Sequence, residues 1–263
     1  MKEKYARLLN NIKDMKSVIV AYSGGVDSTL LLHAAKEALG TNVLAVIAES
    51  CLFPQNEIEN AISICKSMGV RYIMLHLKPL EIDGIKENPK NRCYLCKKKM
   101  LSSIIEIAES ENISNILEGS NMDDMGDYRP GSQAVKELGV ISPLMDVELY
   151  KSEIRELSKE FNLPTWDKPS LACLASRIPY GDTITPEKLD MIDKCEEYLR
   201  NMGFRQLRVR AHGNLARIEM TPDEITKVFT DENRTKIYEE FKHNGFKFVS
   251  IDLIGYRTGS LND

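Results

Sequence analysis

The sequence predicts an α/β protein: a parallel-sheet nucleotide-binding domain covered by helices, followed by a second, smaller C-terminal α/β domain. Three observations carry this prediction. Short runs of β-branched residues alternate with segments of helical periodicity, the pattern of a parallel sheet buried on both faces. The first of these runs ends in a glycine-rich turn that opens directly into a helix. Pro179 and Gly181 then break the pattern, and a new helix, a hairpin and a further helix and strand follow, so domains over 1–180 and 181–263 are expected.

Taken in order, residues 4–14 place Ala6, Leu8, Leu9 and Ile12 at helical spacing, a leading amphipathic helix. Residues 17–22 read as a buried strand, and 28–39 as a helix closed by Gly40. A second strand over 43–48, a helix over 56–68 ending at Gly69, and a third strand over 71–75 continue the alternation. A helix over 97–109, a strand over 115–118 and a helix over 152–161 follow, with 163–177 read as loop on the strength of Pro164 and Pro169. In the second domain, 186–202 is a helix and 206–210 a strand, turned by His212, Gly213 and Asn214 into a return strand over 215–220. Thr221 caps the next helix start, and a helix over 234–244 and a strand over 248–253 close the chain.

Composition narrows the function classes. A formal net charge of −4 supplies no basic field for a polyanion, so a nucleic-acid partner is disfavoured. The apolar runs are strand-sized, which argues against a membrane span, and the charged N-terminus lacks the pattern of a secretory signal. A cytoplasmic protein is expected. Six cysteines in a chain of this size are then packing residues, metal ligands or reactive thiols rather than a disulfide framework.

The chemistry begins at Ser23-Gly24-Gly25-Val26-Asp27-Ser28, between the first strand and its helix. Unpaired N–H groups and the helix dipole favour an anion there. Gly24 and Gly25 allow close approach to phosphate oxygens, Ser23 and Ser28 add hydroxyls, and Asp27 offers a carboxylate to Mg²⁺. The Gly-Lys-Ser/Thr ending of a Walker A loop is absent. Ligands of such sheets sit at the carboxyl ends of the strands. That rule points to Ala48, Glu49 and Ser50 for the adenosine, and to the segment from Glu118 and Gly119 through Asp123 and Asp124 facing the same crevice.

Cys93 and Cys96 open a helix bearing Lys97, Lys98 and Lys99, and two thiols at this spacing suit a metal, a cluster or a redox pair. Cys173, in a loop close to Arg177, is the best third thiol, with His33 and His76 as further candidate ligands. Cys65 and Cys195 read as structural, and so does Cys51, although it follows the second strand. Arg208 and Arg210 share one face of a strand and, with His212, form either a phosphate site or a solvated face. Arg177 either stabilises a reacting carboxylate or pairs with a neighbouring acid.

The hexapeptide resembles the pyrophosphate loop of the ATP pyrophosphatases, which include NAD and GMP synthetases and tRNA-thiolating enzymes. That resemblance implies an adenine nucleotide alpha hydrolase-like fold and cleavage of ATP between its α and β phosphates. Residues 88–97, 118–131, 173–181 and 208–213 together resemble the LarE family more specifically. Members of that family adenylate a carboxylate of a pyridinium mononucleotide and convert it to a thiocarboxylate on the way to a nickel-pincer cofactor. Some draw sulfur from a single consumed cysteine at the position of Cys173. Others hold a [4Fe-4S] cluster on three cysteines, which correspond to Cys93, Cys96 and Cys173. The resemblance further implies a phosphate site at Arg208, Arg210 and His212 and a homo-oligomer, while no motif names the sulfur donor. Two rivals share parts of this pattern: a tRNA-thiolating enzyme, and a non-catalytic nucleotide-binding protein with structural zinc.

Overall fold

The computed structural model describes residues 1–126, 130–169 and 172–257. Asp127, Tyr128 and Arg129 of the expected 118–131 motif, and Ser170 and Leu171 ahead of Cys173, lie outside the described residues. The chain divides into two units: Met1–Lys78 with Asn91–Leu171, and Pro79–Lys90 with Ala172–Asp263.

In the first unit, α1 (Lys2–Asp14), β1 (Val18–Ala21), α2 (Val26–Leu39), β2 (Val43–Glu49), α3 (Gln55–Ser67) and β3 (Arg71–His76) appear in the expected alternation. They are followed by α4 (Arg92–Ser110), β4 (Asn115–Leu117), α5 (Pro130–Glu137), α6 (Pro143–Asp146) and α7 (Lys151–Glu160). The strands form a parallel sheet in the order β3-β2-β1-β4. Alternation along the strands sorts side chains between two cores. Val18, Val20, Val43 and Ala45 join the core beneath α1, α2 and α7, whereas Ile19, Leu44 and Val46 join the one beneath α4 and α5. Leu30, Leu31 and Leu32 of α2 are all fully buried, which is why that helix reads as apolar all round rather than as a stripe. Each such side chain contributes about 2 kcal/mol of burial.

The short α5 and α6 were not anticipated. Both open on a proline, Pro130 and Pro143, a residue that reads as a loop signal until its place in a first helical turn is seen.

The second unit contains α8 (Pro186–Asn201), β5 (Leu207–His212), β6 (Leu215–Met220), α9 (Pro222–Val228), α10 (Asp231–His243) and β7 (Phe248–Ile251). β5 and β6 form the expected antiparallel hairpin, turning over Gly213 (φ 58°), and β7 adds in parallel to β6. The division differs from the expected one near 180 because residues 79–90 travel with this unit. Asn88, fully buried at φ 52°, donates its side-chain amide to the carbonyls of Ile178 (3.0 Å) and Pro179 (2.7 Å). Its own carbonyl accepts from Gly181, and that of Lys86 accepts from Ile184. These are pairings across some ninety positions of sequence (|i−j| of 90 for Asn88 with Ile178), which no local pattern announces.

Candidate active site

The loop between β1 and α2 is shaped by contacts that exclude side chains. Gly24 sits at φ +69°, and a Cβ there would meet the Cβ of Ala61 on α3 at 3.0 Å. Gly119, just past β4, lies against the first turn of α2, so that a Cβ would meet the Ser28 nitrogen at 3.0 Å and its Cα at 3.2 Å. Both positions therefore require glycine. Gly25 is the N-cap of α2, extended at φ −83°, with no side chain capping the N–H groups that follow. The hydroxyls of Ser23 and Ser28 lie 3.0 Å apart across the loop. Lys168 Nζ donates to the Gly24 carbonyl (2.9 Å) and pairs with Glu57, holding the loop from outside.

A cavity of ≈ 230 Å³ opens beside this loop, lined by Ser23, Asp27, Ser28, Lys97, Glu118 and Gly119 among others. Asp27 projects from the first turn of α2. Its Oδ1 accepts from Asn121 Nδ2 (3.2 Å), and its Oδ2 forms an ion pair with Lys151 Nζ. Burial raises the Asp27 carboxyl above the ordinary aspartate range, while the adjoining Lys151 ammonium pulls it down. Glu118 shows the opposite balance. Burial alone would raise it, but Lys97 (2.9 Å), the Ser120 N–H and the Ser142 hydroxyl hold its carboxylate below the usual range. The acids after β4 order their own loop: Asp124 accepts from the Asn121 N–H (3.0 Å), and Asp123 accepts from the Lys151 N–H (2.6 Å).

The structure thus gathers Ser23, Asp27, Ser28 and Gly119 around one cavity. Ala48 lies half-buried at the carboxyl end of the neighbouring β2 and is not among the lining residues. The adjoining Glu49 pairs with His76 Nδ1 (2.5 Å). Sequence reasoning did not single out Lys97 for this cavity, nor Lys151 and Lys168 for the loop. Lys97 carried a usable signal, since it stands four residues after Cys93 on α4 and so shares its face.

Cys93 and Cys96 stand in the first turns of α4, one exposed and one half-buried, and neither is in a disulfide. Cys173, in the second unit, is free and half-buried, immediately before a 3-10 turn over Leu174–Arg177. Cys65 and Cys195 are buried, which pushes each thiol up to about 12 and fits a packing role. Cys51 is exposed. His33 stacks on Phe161 (4.8 Å), and among the described residues no three His, Cys, Asp or Glu side chains gather as a metal-binding group.

In the second unit Arg177 takes the pairing role that its sequence left open. It is fully buried, bidentate to Glu196 (2.9 Å for both bonds), and bonded to the Ala172 and Cys173 carbonyls and the Ser176 hydroxyl. Its three nitrogens all donate within this unit, an arrangement that holds the Cys173 backbone. The β5 face is likewise buried rather than solvated. Arg208 and Arg210 are both buried, and Arg210 pairs with Glu219 (2.8 Å) and donates to the Ser176 carbonyl (2.8 Å). Arg208 lies over the Tyr256 ring (5.1 Å), and burial lowers its guanidinium to about 10, with the Arg177 charge adding to the effect. His212 Nε2 is buried with no protein partner, and burial, reinforced by Arg217, lowers the imidazole.

A parallel sheet whose first strand ends in Ser-Gly-Gly-Val-Asp-Ser at an uncapped helix start defines a nucleotide-binding domain of the pyrophosphate-loop class. The pattern of the NAD synthase family matches residues 4–103. Over nearly its full length the chain is similar to three known proteins. It is 38% identical to an uncharacterized protein of Synechocystis sp., covering 100% of this chain and 98% of that one. It is 37% identical to the pyridinium-3,5-bisthiocarboxylic acid mononucleotide synthase of Lactiplantibacillus plantarum, covering 99% and 94%. It is 35% identical to an uncharacterized protein of Methanocaldococcus jannaschii, covering 97% and 98%. The chain belongs to the LarE family of ATP-dependent sulfur transferases. Among the described residues no helix is long and apolar enough to cross a membrane.

Proposed function

We propose that this protein uses ATP to adenylate a carboxylate of a pyridinium mononucleotide and then replaces AMP with sulfur. The reading rests above all on the full-length similarity to the L. plantarum synthase, whose name states the thiocarboxylate product. In the first step a substrate carboxylate oxygen attacks the α-phosphorus, the bond to the β-phosphate oxygen breaks, and pyrophosphate leaves. The uncapped N–H groups after Gly25 and the hydroxyls of Ser23 and Ser28 are donors for the charge that grows on that leaving group. Gly24, Gly25 and Gly119 keep the approach free of side chains, and Ala48 lies toward the adenosine. Asp27 holds Mg²⁺. Lys97, fixed by Glu118 at the cavity wall, supplies a positive charge to the phosphates or the substrate carboxylate.

In the second step sulfide attacks the acyl carbon, AMP departs, and a thiocarboxylate remains. Cys93, Cys96 and Cys173 stand outside any disulfide, and three thiolates are a donor set that would suit an iron–sulfur cluster. A [4Fe-4S] cluster on these three thiolates would carry sulfur without consuming a cysteine. Arg177 positions the Cys173 segment through the Cys173 carbonyl. Arg208, Arg210 and His212 are assigned to the substrate phosphate, with the unpartnered His212 Nε2 as an available polar atom. A soluble cytoplasmic homo-oligomer completes the reading.

The test is made on protein purified without oxygen. Iron, zinc and acid-labile sulfide are measured, and the protein is then supplied with MgATP, sulfide and a carboxylated pyridinium mononucleotide. About four irons per chain are expected, with AMP formed and one substrate oxygen exchanged for sulfur by mass spectrometry. Zinc in place of iron, or loss of sulfur from Cys173 during turnover, would replace the cluster with a structural metal or a consumed cysteine. Absence of AMP with every such carboxylate would overturn the adenylation step.

A further inference from the structure

Lys151 belongs to no motif, yet it provides the only ammonium on Asp27 among the described residues. It is the first residue of α7, and its backbone is pinned there: its N–H donates to Asp123 Oδ2 (2.6 Å), and the preceding Tyr150 N–H donates to Glu153 (3.0 Å). Its side chain then reaches across 124 positions of sequence to Asp27 Oδ2. The two oxygens of Asp27 are thereby held in different ways. Oδ1 takes a neutral amide N–H from the buried Asn121, whereas Oδ2 takes the charge of a lysine that is 32% exposed.

A metal ion and an ammonium cannot share one carboxylate lone pair at contact distance, and a divalent ion carries twice the charge. The amide bond can persist when a cation arrives, but the ammonium cannot. A half-exposed lysine on a four-carbon stem is free to move, unlike the fully buried Arg177. We propose that Lys151 is an exchangeable counter-ion. It neutralises Asp27 while the loop is empty, yields that carboxylate to the divalent cation when nucleotide binds, and turns its charge to the polyphosphate. This deepens the adenylation reading and rests on it for the identity of the nucleotide. The exchange at Asp27 itself can be measured without turnover.

The test compares the unaltered protein with Lys151→Met and Lys151→Arg, using Mn²⁺ as the probe. Free Mn²⁺ is counted by electron paramagnetic resonance without nucleotide, and ATP affinity is measured calorimetrically with and without the metal. Lys151→Met is expected to bind Mn²⁺ up to about fivefold more tightly, the upper end for release of a half-exposed ion pair. It should also lose affinity for ATP by about tenfold as a phosphate contact disappears. Lys151→Arg should restore both values toward those of the unaltered protein. A lysine that only braces α7 against α2 would instead leave Mn²⁺ affinity unchanged or lower it, and that result overturns the proposal. Thermal unfolding of each variant is recorded alongside, and Lys151→Gln replaces the methionine variant if that one does not fold. Failure of the unaltered protein to form AMP would count against the adenylation reading alone, because the Mn²⁺ comparison does not depend on it.

Discussion

Two clusters of charge, one in each unit, are built in opposite ways. In the first, Asp27 with Lys151, Lys97 with Glu118 and Lys168 with Glu57 form ion pairs partly open to solvent, and Asp27, Lys97 and Glu118 line the cavity. In the second, Glu196 is fully buried, bidentate to Arg177, bonded to Arg200 (2.7 Å) and to the Val209 N–H (3.0 Å). Glu219, equally buried, binds Arg210 and Arg217. A pair in contact with water can exchange one partner for a ligand at small cost. A buried pair can lose a partner only by stranding a charge. The difference separates groups suited to bind and release from groups that hold the frame of β5 and the Cys173 segment.

The largest effect that would break this contrast is expected at Glu196. Replacing it with glutamine leaves Arg177 buried without a counter-charge and should lower unfolding free energy by about 3–5 kcal/mol, read from a urea titration. A loss below about 1 kcal/mol would mean that the buried network is replaceable, like a surface pair. At the loop, Asp27→Asn should leave stability within about 1 kcal/mol. The same change should slow AMP formation at saturating ATP by about a hundredfold, as removal of a group acting on the developing charge does. Equal losses in stability and rate would merge the two regions into one behaviour.

Gly119→Ala should cost about 1–3 kcal/mol, because the new methyl meets backbone atoms of Ser28 that cannot move alone. ATP affinity should fall with it. Unchanged affinity would show that β4 does not set the position of the loop.

The smallest expected effect concerns Asp193, whose carboxyl is raised from 3.8 to about 6 by burial, with Arg200 opposing and Glu196 and Glu197 adding to the rise. A carboxyl raised on folding is bound more tightly by a proton in the folded state. Its favourable contribution is therefore present at acid pH and lost as pH rises through about 6. Asp193→Asn should stabilise the protein by about 1 kcal/mol at neutral pH, allowing for its partial exposure. That gain should vanish on acidification toward the ordinary aspartate range.

Much of the frame was legible beforehand because it is local. The valine and isoleucine runs of β1 and β2, the closing glycines of α2 and α3, and the proline and capping residues of α8 each announce their element within a few residues. The pyrophosphate loop was legible for the same reason, being one contiguous hexapeptide whose glycines and serines have a single common use. The rest was not local. Lys151 has no sequence neighbour that marks it, and its meaning comes from α7 lying beside α2. Arg177 has two readings of equal local merit, and its pairing with Glu196 is visible only once α8 packs against it.

By itself, then, the sequence determined the order of the strands and the longer helices, the anion-binding turn, the CxxC pair and the family to which they belong. These follow from backbone preference and from periodicities that operate over a few residues. Tertiary structure alone decided that residues 79–90 serve the second unit, and that the β5 arginines are buried beside Glu219 rather than solvated. It also decided that Asp27 carries a lysine. Charge pairing and burial depend on distance in space, and distance in space is set only when the whole chain packs.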